Sequence, residues 1–208
     1  ASVLLDQIAG GVASELRPFS CLQGKVAGGG VLVGRTGYTG EDGFELMPEA
    51  SATVWLWNKL KDLGAAPCGL GARDVLRLEA GLLLHGTDID ASRNPIEAGL
   101  ERFVALESES ICNDQLQRIQ RDGPKQRLTG FLMIGRGIAR HGYAISYEGE
   151  VVGEVTSGGY SPALDRSIGL GYVSSDLTSP GSQFTIDIRG RFVDAEAVVL
   201  PFYSRRRT

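Results

Sequence analysis

What this 208-residue sequence has little of narrows its chemistry before any motif is considered. Cysteine is scarce: Cys21, Cys68 and Cys112 are an odd number without CxxC spacing, which argues against a disulfide framework or a zinc cradle and leaves packed thiols as the expectation. Positive charge is not in excess. A net charge of -4 and a pI near 5.3 argue against a nucleic-acid surface, which needs clustered Lys and Arg, so small ligands or proteins are the expected partners. Apolar runs stay far short of the roughly 20 residues of a spanning helix, and no charged-then-apolar leader opens the chain, so no membrane association is expected and a soluble, intracellular protein is. The first residue is Ala1 rather than Met, which suits a processed or truncated product. Histidine is limited to His85 and His141, and no Gly-x-Ser-x-Gly elbow occurs, which weakens a Ser-His-Asp triad.

What is there suffices for a core. Hydrophobic residues make up 42% of the chain, so one large or two modest domains are expected and disorder is not. Up to about residue 125, helical and extended patterns mix: Ser2 to Ser14 reads as helix, Lys25 to Arg35 as extended, and Glu49 to Leu63 as helix closing at Gly64. Beyond it, short β-rich runs dominate: Arg127 to Ile134, Tyr143 to Tyr147, Val151 to Val155, Ile168 to Val173, Phe184 to Ile188 and Val193 to Leu200. Their spacing is that of a barrel or sandwich. The boundary is expected in Gln115 to Gln126, giving domains 1–125 and 126–208.

Two glycine-flanked, charge-rich segments stand out. In the first, Arg35-Thr-Gly-Tyr38-Thr-Gly-Glu41-Asp42-Gly-Phe-Glu45, the Gly37-to-Gly43 stretch reads as a hairpin loop between extended runs. It lacks the Gly-Lys-Ser/Thr ending of a phosphate cradle, and Glu41 and Asp42 disfavour phosphate. Glu45, between Phe44 and Leu46, is expected to be a partly buried carboxylate in need of a donor. The second segment is Cys68-Gly-Leu-Gly-Ala-Arg73-Asp74-Val-Leu-Arg77-Leu-Glu79-Ala-Gly81. Its helix, Ala72 to Ala80, puts Arg73 and Arg77 on one face, where an anion should meet them. Salt bridges within the helix account for Asp74, Arg77 and Glu79. Arg73, just after Gly69-Leu70-Gly71 where a ligand can approach closely, is the functional candidate. Asp88 and Asp90 alternate like calcium-loop carboxylates, but Arg93 and Gly99 stand where that loop needs Gly and Glu.

These segments resemble the folate-binding signature of the aminomethyltransferase family, the T-protein of the glycine cleavage system. Gly86-Thr-Asp-Ile-Asp90 and Pro95-Ile-Glu97-Ala-Gly-Leu100 continue the resemblance in order. So do Arg136-Gly-Ile-Ala-Arg140-His-Gly-Tyr143, Val152-Gly-Glu-Val-Thr156-Ser157-Gly158, Ser161-Pro162 and Pro201-Phe202-Tyr203. The resemblance implies an α+β chain: a folate-binding α/β portion followed by a C-terminal antiparallel β-barrel. It implies tetrahydrofolate as cofactor, with folate contacts at Glu45, Arg73 and Tyr203. It also implies an aminomethyl group delivered on the lipoyl arm of H-protein, with methylene-tetrahydrofolate and ammonia as products. The family's proton-handling aspartate has no match here, so the chain looks like the C-terminal portion of such a protein and is expected to be catalytically incomplete alone. Cytoplasmic location is implied for a bacterial source and mitochondrial for a eukaryotic one. Arg102 stands where relatives usually carry Trp, and Ser110-Ile111-Cys112 where they carry Phe-Ile-Gly. A folate-binding module without transferase activity and a dimethylglycine- or sarcosine-processing relative are the alternatives. The Arg205-Arg206-Arg207 tail is a candidate for steering an acidic carrier.

Overall fold

A computed structural model describes residues 1–26 and 29–204; the Arg205-Arg206-Arg207 tail lies outside the described residues. The chain divides into two compact units, Ala1–Asp74 and Val75–Thr208.

The first unit packs helices on one face of a small sheet. The helix expected over Ser2 to Ser14 is two: α1 (Ser2–Ala9) and α2 (Val12–Glu15). The cause is the Gly10-Gly11 pair, whose φ values of 61° and 90° end the first helix in the left-handed region and start the second. Asp6 ties the two together by accepting the Ala13 N–H at 2.9 Å. The extended run expected from Lys25 to Arg35 belongs to two strands, β1 (Cys21–Val26) and β2 (Gly29–Gly34), followed by β3 (Glu45–Pro48). The sheet is antiparallel in the order β1-β2-β3, with Gln23 opposite Leu32 and Leu32 opposite Met47. Alternation sorts its faces. Leu22, Val26, Val31, Val33 and Leu46 join Leu5, Ala9, Val12, Ala13 and Leu16 in one apolar cluster, while Cys21, Gln23, Lys25, Glu45 and Met47 point the other way and are exposed. Helix α3 (Ala50–Asp62) adds Leu56 to that cluster and leaves Val54, Trp55 and Trp57 exposed. Gly64, at φ 94°, follows its C-terminus and donates to the Lys61 carbonyl.

Helix α4 (Leu70–Glu79) carries the chain from the first unit into the second. After it come a turn over 82–90, a short 3₁₀ turn at Glu101–Phe103, and α5 (Asn113–Asp122), which occupies most of the expected boundary segment and is followed by Gly123 and Pro124. Asn94 organises the stretch before the 3₁₀ turn: its Oδ1 accepts from the Ile96 and Glu97 N–H groups, both at 3.0 Å, and Glu97 reaches back to the Asn94 N–H at 3.3 Å, a capping-box exchange.

Six strands then form a closed antiparallel barrel. They are β4 (Gln126–Met133), β5 (Ala144–Tyr147), β6 (Glu150–Ser161), β7 (Arg166–Ser174), β8 (Gln183–Ile188) and β9 (Arg191–Val198), in the order β4-β7-β6-β5-β8-β9. The α+β class with a C-terminal barrel is therefore the observed architecture. Strand β6 runs through Gly158 and Gly159, well past the Val151–Val155 run that composition marks. Small residues are required there by close packing: a Cβ on Gly158 would sit 2.4 Å from the Ala139 carbonyl oxygen.

Strand β7 reads Ile168-Gly169-Leu170-Gly171-Tyr172 and is buried on both sides. Gly169 and Gly171 face the barrel interior, where a Cβ would meet the Phe131 ring at 2.3 Å and Ile145 at 2.8 Å. The room they leave is filled by Phe131, which meets Phe184 edge-on with ring centroids 5.9 Å apart. On the outer side Ile168 and Leu170 pack with Leu78 of α4, Leu200 and Phe202. Full burial of such side chains contributes about 1.5–3 kcal/mol each, so β7 is anchored from within and from without. None of the helices among the described residues is long and apolar enough to cross a membrane.

Candidate functional site

In the first unit the candidate site is the Arg35–Phe44 loop between β2 and β3, together with the start of α4. An arginine closes the loop. Arg35 donates to both oxygens of Asp42, at 2.8 and 2.9 Å, and to the Leu16 and Ala13 carbonyls at 2.8 and 3.3 Å, with its guanidinium 5.4 Å from the Phe44 ring centre. Asp42 is therefore a structural clamp inside the loop. The hydrogen bond from Arg35 holds its carboxyl below the usual range, and the same bond raises the arginine.

Glu45 opens β3, opposite Gly34 in the register, and its side chain lies on the uncovered face of the sheet. It is exposed, not partly buried as its apolar neighbours suggested, because strand alternation sends Phe44 and Leu46 to the core side and the carboxylate away from it. Its Oε2 accepts a hydrogen bond from the Thr36 hydroxyl. Tyr38, on the same loop, lies under Arg73, whose guanidinium is 4.5 Å from the ring centre. Arg73 itself is exposed in the first turns of α4. The structure thus links Arg73 to the loop that leads to Glu45 through Tyr38. The contacts of Thr36 and Tyr38 emerge only from the fold, although the alternation of polar and aromatic residues with glycine in Arg35-Thr-Gly-Tyr38 marks the segment.

The second unit holds Tyr203, which is half-buried; its N–H donates to the Glu79 carbonyl at 2.9 Å. That unit also contains a buried polar network. Arg77, expected to be accounted for by salt bridges within the helix, is only 2% exposed and reaches Asp88, 0% exposed, at 2.6 Å, as well as the Ser157 hydroxyl of β6 at 2.8 Å. Asp88 further accepts from the Leu84 N–H at 2.9 Å and the Thr156 hydroxyl at 2.5 Å, and its backbone carbonyl accepts from the Tyr172 hydroxyl at 3.0 Å. Glu79, likewise expected to pair within the helix, accepts from the Ser161 hydroxyl at 2.5 Å. The metal-like spacing of Asp88 and Asp90 thus resolves into a clamp on the barrel's outer wall and, at Asp90, a local turn in which the Ser92 hydroxyl and N–H hold the carboxyl below its usual range. Burial pushes the Tyr172 phenol up to about 12, and the Arg93 guanidinium lies 3.9 Å from its ring centre.

Other departures are plain in the structure. Cys21, Cys68 and Cys112, expected as packed thiols, are all exposed, on the open sheet face, before α4 and at the start of α5 respectively. Arg102 lies 4.6 Å from the Phe103 ring centre, Glu101 pairs with Arg127 at 3.0 Å, and Ile111 is fully exposed. Beside Phe103 a cleft of about 660 Å³ opens along Arg93, Asn94 and Ile119.

Comparison with known proteins accounts for both units. Residues 1–108 match the GCVT N-terminal domain, and residues 126–204 match the glycine cleavage T-protein C-terminal barrel domain. An aminomethyltransferase of Rubrobacter xylanophilus is 47% identical across 100% of this chain and 55% of its own length. One of Geobacillus kaustophilus is also 47% identical, across 93% of this chain and 55% of its own. The crystal structure of the glycine cleavage system aminomethyltransferase T from Bartonella henselae superimposes with a TM-score of 0.87 at 31% identity, covering 98% of this chain and 57% of that one. The chain spans about half the length of the curated relatives it matches. On these grounds the chain belongs to the aminomethyltransferase family of glycine cleavage T-proteins.

Proposed function

We propose that the protein carrying these residues is a tetrahydrofolate-dependent aminomethyltransferase of glycine cleavage. It takes the aminomethyl group from the lipoyl arm of H-protein and gives methylene-tetrahydrofolate and ammonia. In this reading residues 1–125 contribute part of the folate domain and 126–208 the barrel. The protein is cytoplasmic in a bacterial source and mitochondrial in a eukaryotic one. Bound tetrahydrofolate supplies the amines that accept the one-carbon unit.

The observation that carries the reading is the exposed Glu45 carboxylate, held by Thr36 on the same segment that sets Tyr38 beneath Arg73. The residues suit a reduced folate chemically. A pterin edge presents adjacent N–H donors, which a carboxylate accepts through charge-assisted bonds. An exposed guanidinium on an aromatic ring offers a planar cation to the ligand's acceptor or anionic portions. Glu45 orients the pterin, Arg73 serves the acceptor atoms or the anionic portion, and Tyr203 adds a contact from the C-terminal segment. The family's proton-handling aspartate has no counterpart among these 208 residues, so their part is binding and orientation.

Calorimetric titration of the intact protein with tetrahydrofolate tests this. Glu45→Gln keeps the shape and loses the charge, and it should weaken binding by about 1.5–3 kcal/mol without lowering the melting temperature. Unchanged affinity removes Glu45 from the site. Incubating the 208-residue chain with loaded H-protein and tetrahydrofolate tests the division of labour. Methylene-tetrahydrofolate formed at the rate of a full-length relative would put the acid–base group inside these residues.

A further inference from the structure

In the candidate site the Thr36 hydroxyl is aimed at the proposed ligand-binding carboxylate, Glu45. Thr36 sits between two fixed neighbours. Arg35 before it is held by Asp42 and by the Leu16 and Ala13 carbonyls, while its own backbone bridges Phe19 and Ser20: the Arg35 N–H donates to the Ser20 carbonyl at 2.9 Å, and its carbonyl accepts from the Phe19 N–H at 3.0 Å. On the other side of the register, Glu45 is tied to β2 opposite Gly34. The Thr36 hydroxyl donates to Glu45 Oε2 across this frame. A Cβ on Gly34 would lie 3.3 Å from the Thr36 Oγ1, so a glycine there leaves the hydroxyl its room.

An exposed glutamate ordinarily samples several rotamers, and fixing one has an entropic cost. Here the loop meets that cost before any ligand arrives. We propose that Thr36 is a positioning residue: it locks the Glu45 carboxylate in one orientation, occupying one lone pair of Oε2 and leaving Oε1 and the second Oε2 lone pair directed at the N–H donors of a reduced pterin. The proposal rests on the reading of Glu45 as a folate contact. It assigns Thr36 a role in affinity and ring selectivity, with no direct ligand contact.

The test is a titration series with tetrahydrofolate on the intact protein, using Thr36→Val, Thr36→Ser, Glu45→Gln and the Thr36→Val/Glu45→Gln double variant. Thermal melts run alongside establish that each remains folded. Thr36→Val, which keeps the volume and removes the donor, should weaken binding about tenfold, as expected for a hydrogen bond to a charged group. Thr36→Ser, which keeps the donor, should restore affinity to within about threefold of the parent. The effect of Thr36→Val should shrink in the Glu45→Gln background, because residues acting through one another are not additive. A purely structural threonine predicts the opposite: a lowered melting temperature, no rescue of affinity by serine that is separate from stability, and additive losses. If Thr36→Val unfolds the protein, Thr36→Ser and Thr36→Asn still decide, since the first retains the geometry of the donor and the second does not. Full affinity in Thr36→Val or Thr36→Asn, or additivity in the double variant, overturns the proposal while the Glu45 reading stands. Full affinity in Glu45→Gln overturns both.

Discussion

The two units each contain an Arg–Asp pair of similar length, and the pairs differ in almost everything else. Arg35 and Asp42 meet at 2.8 Å with side chains 24% and 52% exposed; Arg77 and Asp88 meet at 2.6 Å with 2% and 0%. In water, a pair gains little because solvent already stabilises both charges. Buried, each partner depends on the other and on every additional donor, and removing one leaves an uncompensated charge. The first pair therefore shapes a loop whose neighbours remain available to a ligand. The second fastens α4 and the 82–90 turn to the barrel wall through Ser157, Thr156 and Tyr172. Chemistry at the residue level is the same; environment decides whether it shapes an exposed loop or fastens a scaffold.

Removing each aspartate should separate the two pairs. Asp88→Ala removes the buried carboxylate that faces the Arg77 guanidinium and should destabilise the second unit by about 3–5 kcal/mol in urea unfolding; a loss below 1 kcal/mol, roughly, would mean water reaches Arg77. Next in size is an added methyl. Gly169→Ala drives a Cβ into the Phe131 ring and should cost about 1–3 kcal/mol, whereas Gly37→Ala in the loop, with nothing within 4 Å, should stay within about 0.5 kcal/mol. Equal effects at the two glycines would erase the contrast between packed wall and open loop.

A smaller effect is expected at alkaline pH. Because burial raises the Tyr172 phenol to about 12, the unfolded chain loses this proton first. Stability conferred by the neutral phenol is complete below about pH 10 and is lost as pH rises towards 12. Tyr172→Phe should flatten that part of the stability profile. The smallest shift belongs to Asp42→Asn, and added salt should diminish it further. Since Arg35 holds Asp42 below its ordinary value, this pair's contribution is present above about pH 4 and fades as pH falls through the lowered folded value. A melting-temperature loss matching that of Asp88→Ala would contradict the assignment of Asp42 to a solvated clamp.

Local signals were legible in the sequence, and long-range partners were not. Helix α3 follows from its periodicity and from Gly64 at its end, and most barrel strands follow from short β-rich runs between turn residues. The full length of β6 is hidden because Gly158 and Gly159 mimic a turn; the smallness of Gly158 answers to Ala139, distant in sequence. The reach of Arg77 beyond its own helix is hidden for the same reason. An i,i+3 aspartate is visible in the sequence, while Asp88 and Ser157 are brought to it by the fold. The loop motif identified the region of the candidate site, but the exposure of Glu45 depends on which sheet face is covered, and alternation alone does not say that.

The barrel's closure has a consequence for how the polypeptide behaves when crowded. Every barrel strand has a neighbour on each side, so no row of unpaired amides is offered to another molecule. Among the described residues the sheet β1-β2-β3 is open, with β1 and β3 at its borders and Leu32 and Met47 on the face away from the helices. When these 208 residues are produced alone, strand-to-strand aggregation under stress should therefore begin from the first unit. Lysine or proline placed at outward-facing positions along those borders would be the way to suppress it, leaving the barrel sequence untouched.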